Sequence, residues 1–97
     1  MKIIIKKFGD LLTSRPAGKD AYAGFLPTLK NLAKDEIVEV DFEGVNSLSP
    51  SWADEFLTPL LKQYSDRLCL KNTQNLSVLT TIETLEETNN YKLKICK

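Results

Sequence analysis

Few residues in this sequence are equipped for chemistry, and most of them lie between positions 41 and 55. Ser49-Pro50-Ser51 offers two hydroxyls at the head of an apolar periodic stretch, Asp54-Glu55 offers neighbouring carboxylates, and Arg15 stands upstream. No Ser-His-Asp triad is available, because the chain has no histidine. With Cys69 and Cys96 the only cysteines, the sequence also lacks a plausible set of zinc ligands, and it carries no glycine-rich phosphate loop. A serine–lysine pairing is the hydrolytic alternative left, and no spacing favours it. Successive residues on a helix diverge by about 100°, so Asp54 and Glu55 are not expected to converge on one substrate atom as a general acid and base would. Their ordinary role is to complement a helix dipole. Arg15 falls at a helix start, where that dipole disfavours a cation. It is expected to bridge to Asp41, Asp54 or Glu55, with a partner contact as the second reading.

The hydroxyls have structural explanations of their own. Serine caps the free amides at a helix start and proline follows with its backbone angle already set, which accounts for Ser49-Pro50. Ser51 with Asp54 forms an overlapping capping-box pattern. The same helix start would also offer its positive dipole end to a partner or a phosphate. Trp52 shares a four-residue phase with Phe56 and Leu60, which assigns most of it to a core, although a tryptophan beside a loop also suits an interface. Cys69 sits in an apolar alternation and is expected to be a buried free thiol, inert to reagents. Cys96 is expected to be reactive near a fraying end, and no disulfide framework is expected from two thiols.

The elements that would position these residues follow from periodicity. Lys2 to Lys6 reads as a β-branched strand ending at the turn-favouring Phe8-Gly9-Asp10. From an N-cap at Ser14, residues Ala17, Ala21, Tyr22, Phe25, Leu29 and Leu32 return at helical spacing, with Pro27 expected to kink or divide the helix. Glu36 to Phe42 alternates as a strand with Val38, Val40 and Phe42 on one face. Trp52, Phe56, Leu60 and Tyr64 mark a second helix, and Arg67 to Lys71 a further strand. Leu76, Leu79, Ile82 and Leu85 mark a third helix capped within Asn72 to Asn75, before a terminal strand through Tyr91, Leu93 and Ile95. Strand and helix therefore alternate throughout. That order predicts an α/β fold with a mixed, mainly parallel sheet of about four strands and helices packed against it.

Size and charge set the outer bounds. The 97 residues, 42% of them hydrophobic, suffice for one core and suggest a single domain over 1–97. Thirteen basic and thirteen acidic residues cancel and are interspersed, so neither nucleic acid nor an anionic membrane is an expected partner. No apolar run reaches the length of a signal-peptide core or a membrane span. A cytoplasmic protein is expected.

The stretch Val40-Asp41-Phe42-Glu43-Gly44-Val45-Asn46-Ser47-Leu48-Ser49-Pro50-Ser51-Trp52-Ala53-Asp54-Glu55-Phe56-Leu57 resembles STAS domains, named for sulfate transporters and anti-sigma factor antagonists. In these a strand of the type hydrophobic-Asp/Asn-hydrophobic leads through a short loop to a helix. With Thr13-Ser14-Arg15 and Lys71-Asn72, the chain resembles more closely the bacterial STAS-like family of unknown function, from about Ile3 to Leu85. The resemblance implies a regulatory, non-enzymatic protein-binding module without a cofactor. Its partner would be an ATP-binding kinase-like or anti-sigma-type protein, docked through the loop and helix start at 47–56. Ser49, Ser51, Trp52, Asp54, Glu55 and Arg15 are the implied contact residues. One departure stands out. Pro50 falls where regulatory STAS domains carry a phosphorylated serine, and Trp52 falls where they carry glycine. Ser49 and Ser51 are then the remaining phospho-acceptor candidates. The alternative function is a structural or oligomerisation subunit of a larger complex, built through the lysine-flanked end strands.

Overall fold

A computed structural model describes residues 1–97. Strand β1 (Lys2–Ile4) passes through a 3-10 turn (Ile5–Phe8) to the two-residue strand β2 (Leu11–Leu12), and helix α1 (Arg15–Leu29) follows. Next come β3 (Val38–Asp41), β4 (Ser47–Leu48), helix α2 (Pro50–Tyr64), β5 (Leu68–Leu70) and helix α3 (Leu76–Asn89). The fold is α/β, as the alternation of periods predicts. All strand pairs are parallel rather than mixed: β1-β3-β5 form one sheet and β2-β4 a separate small one. Parallel neighbours require a crossover between them, and the helices supply it. The expected terminal strand shrinks to a single bridge between Leu70 and Ile95.

Alternation in β3 does what its sequence requires. Val38, Val40 and Phe42 are buried against the helices together with Phe56 and Leu60. Their neighbours Ile37 and Glu39, with Lys2 on β1 and Lys71 just beyond β5, reach solvent on the opposite sheet face, where Asp41 and Cys69 are buried. Twenty buried residues form one cluster, centred on α2, which contributes Trp52, Ala53, Phe56, Leu57 and Leu60.

Three expectations fail for identifiable reasons. Pro27 and Pro59 each lie inside a continuous helix rather than dividing it, Pro27 being near enough to the α1 end to disturb little beyond its own amide. In α3 the buried face is Val78, Thr81, Ile82 and Leu85, while Leu76 and Leu79 are exposed; a stripe chosen by residue type missed the threonine that completes the true one. Finally, Cys69 and Cys96 are joined in a disulfide with their Cα atoms 4.9 Å apart. Neither is a free thiol. The register of Leu70 with Ile95 brings Cys96 beside β5, a tertiary fact that spacing alone does not reveal.

Candidate functional site

The segment from Asp41 to Phe56 is built from turn and cap chemistry. Asp41 ends the central strand, and its Oδ1 accepts from the Glu43 amide at 2.9 Å. Gly44 follows at φ +87°, and the Val45 amide closes the turn on the Phe42 carbonyl at 3.1 Å. A glycine at the third position of such a turn carries no steric penalty. Asp41 is itself buried, with its Oδ2 3.8 Å from Lys2 Nζ and 3.7 Å from Lys71 Nζ. The chain then runs into β4, whose Leu48 is clasped by α3: Thr81 and Ser77 donate to its carbonyl at 2.7 and 3.1 Å, and its amide donates to Ser77 Oγ.

Pairing of β2 with β4 delivers the starts of α1 and α2 side by side. Ser14 Oγ accepts from the Ala17 amide, and Ser49 Oγ accepts from the Trp52 amide at 3.3 Å while donating to the Thr13 carbonyl at 2.7 Å. Ser49 is thereby committed twice. Half-buried Ser51 makes no side-chain hydrogen bond with Asp54, so the overlapping capping box does not form. Trp52 is 1% exposed and stacks on Phe56 with centroids 5.1 Å apart; its ring belongs to the core and is not presented to a partner. Gly18 of α1 permits the close approach of the two helices, since a Cβ there would lie 2.5 Å from the Trp52 carbonyl oxygen.

Arg15 resolves the question its position raises. Its Nη1 donates to Asp54 Oδ2 at 3.0 Å and to Glu55 Oε2 at 2.9 Å. The two adjacent carboxylates do converge on one atom, against expectation, because the guanidinium lies between their directions rather than along either. Neither lies in the first turn of α2, so holding Arg15, not complementing the dipole, is their role. Asp54 also accepts from Thr58 Oγ1 at 2.7 Å and from Asn89 Nδ2 at 3.4 Å. With the Thr58 hydrogen so used, Tyr91 OH donates to Thr58 at 2.7 Å. Partial burial works against the Asp54 charge, but the bonds from Thr58 and Arg15, with Asn89, outweigh it and hold the carboxyl below its usual range. Burial pushes the Tyr91 phenol up.

A family model described as a STAS-like domain of unknown function matches residues 24–77. The chain belongs to this family. No curated protein and no solved structure gives a match. The matched residues are fewer than the resemblance from Ile3 to Leu85 suggested. They include the turn at Asp41–Val45 and the whole of α2, and leave Thr13-Ser14-Arg15 outside. Within this STAS-like chain, the blocks that carry the resemblance are largely architectural: a strand-end aspartate, a positive-φ glycine and a helix cap. Thr58, Asn89 and Gly18 escaped the sequence reading, which placed Tyr91 only in a terminal strand. Only Thr58 left a local signal there, its helical spacing of four from Asp54.

Proposed function

We propose that this STAS-like chain is a non-enzymatic regulatory module of the cytoplasm that docks a protein partner through residues 47–56 together with Arg15. The observation that carries this reading is the joint presentation of two helix starts whose polar groups, Ser51 excepted, are spent on holding their own shape. Ser49 is doubly hydrogen-bonded and Arg15 is neutralised by two carboxylates, so what they offer is a fixed polar surface rather than a nucleophile. Beside it runs a groove of about 440 Å³ lined by Phe8, Leu11, Thr13, Ala17 and Ala21. Leu11, 68% exposed, supplies the apolar contact that buried Trp52 does not.

Analogy with the STAS domains of anti-sigma factor antagonists names the partner class as an ATP-binding kinase-like or anti-sigma-type protein. Pro50 excludes phosphate at the family's acceptor position, and the uncommitted hydroxyl of Ser51 is a better acceptor than that of Ser49. The test is isolation of complexes from the native cell with the tagged chain and with Glu55→Lys. A partner retained by the first and lost by the second, at equal melting temperature, supports the reading. Equal retention by both sinks it.

A further inference from the structure

Cys96 and the rest of the terminal segment lie outside the residues matched by the family model. That segment is held unevenly. Tyr91 is tied to Thr58, Leu93 is buried, and the Leu93 amide donates to Glu86 Oε2 at 2.8 Å. Beyond Leu93, the backbone touches β5 only through Leu70, whose amide donates to the Lys94 carbonyl at 2.8 Å and whose carbonyl accepts from the Cys96 amide at 2.9 Å. The disulfide fastens the far end. It borders a cleft of about 350 Å³ on the sheet face that carries Glu39, lined by Ile37, Glu39, Lys94, Ile95 and Lys97 beside the two cysteines. Ile37 and Ile95 are both exposed large apolar side chains, and Lys94 adds an exposed side-chain tie, its Nζ donating to the Asp66 carbonyl at 2.6 Å.

We propose that Cys69–Cys96 is a thiol–disulfide exchange site that takes a dithiol as co-reactant, and that its reduction releases residues 94–97 from the edge of β5. Cys69 is 5% exposed and Cys96 less buried, so the incoming thiolate attacks Cys96 Sγ. An S–S bond forms there, the Cys69–Cys96 bond breaks, and Cys69 leaves as a thiolate that takes up a proton. The second thiol of the reductant then attacks its own sulfur in the mixed disulfide, and Cys96 departs as a thiol. Two electrons and two protons pass from the dithiol to the protein. This inference rests on the cytoplasmic setting proposed above, since a disulfide in a reducing compartment serves most often as such a sensor. Release bares the Leu70 amide and carbonyl, an unpaired sheet edge of the kind that accepts a further strand.

The whole chain is treated under native conditions with dithiothreitol, and in parallel with glutathione buffers, then alkylated and weighed while amide exchange is followed at Leu70, Cys96 and Val40. The expected result is two alkyl groups per chain and exchange at Leu70 and Cys96 faster by about tenfold or more, with Val40 still protected. Reaction with dithiothreitol alone assigns the site to dithiols; reaction in glutathione as well extends it to small monothiols in pairs. Cys96→Ser should reproduce the exchange pattern without reductant. Reduction only after denaturant is added, unchanged protection at Leu70, or loss of Val40 protection along with it would each overturn the proposal, the last by making the bond a global staple.

Discussion

At Ser49 the hydroxyl both accepts and donates, and a carboxylate reproduces only the first. Ser49→Ala should cost about 1 kcal/mol for the lost cap. Ser49→Asp should also lower the denaturant midpoint, since its oxygen would face the Thr13 carbonyl 2.7 Å from the present donor position; a midpoint equal to the unmodified chain would contradict the geometry. The Arg15 cluster predicts a pH dependence. The Asp54 carboxyl is held below its usual value, so its stabilising contribution is complete above the ordinary aspartate range. That contribution is lost as pH falls through that range and below it. Asp54→Asn should flatten this acid limb of a stability-against-pH curve. Because the Arg15 side chain lies in solvent, the Arg15–Asp54 coupling in a double-mutant cycle should be small and should shrink further as salt is raised. The roles of Ser49 as cap and Arg15 as bridge were legible from residue type and position. The sharing of one guanidinium nitrogen by two adjacent carboxylates was not, because helical wheels give directions and not the place of a group lying between them.

Between elements, the α1–α2 contact sets the sharpest condition. The atom nearest a Cβ at Gly18 is backbone, which cannot swing aside as a side chain would. Gly18→Ala should therefore destabilise by roughly 1–3 kcal/mol, outweighing the gain of about 1 kcal/mol in helix propensity, and urea denaturation decides the sign. Phe56→Ala removes a side chain packed against Phe8, Tyr22, Phe25 and Trp52 and should cost about 3–5 kcal/mol. The three helices and three main strands were readable because each keeps one period over several residues. The β2-β4 pair was not. Two residues cannot show an alternation, and Leu11–Leu12 becomes a strand only because Ser47–Leu48 arrives beside it. The phase of α3 was misread for a related reason: Thr81 is buried because the Leu48 carbonyl satisfies its hydroxyl, a partner invisible within the helix itself.

Across the molecule, the disulfide joins positions separated by 27 residues. On a chain-entropy account, closing such a loop stabilises by about 3–4 kcal/mol. Reduction should lower the denaturation midpoint accordingly while leaving a folded core. The sequence reading kept both thiols free, Cys69 because it falls in an apolar alternation and Cys96 because it lies near the end of the chain, whereas their pairing depends on a tail register fixed by Leu70 and Ile95. No helix is long and apolar enough to cross a membrane. The family follows from the match over residues 24–77, and the proposed docking surface is the pair of joined helix starts. The most direct measurement places a photo-crosslinking residue, in turn, at exposed Pro50, at Glu55, and, as a control, at exposed Lys34 beyond the C-terminal end of α1, in the native cell. The account predicts one recurrent protein adduct from positions 50 and 55 and none from 34. Adducts absent at both helix-start positions, or equally abundant at all three, would contradict it.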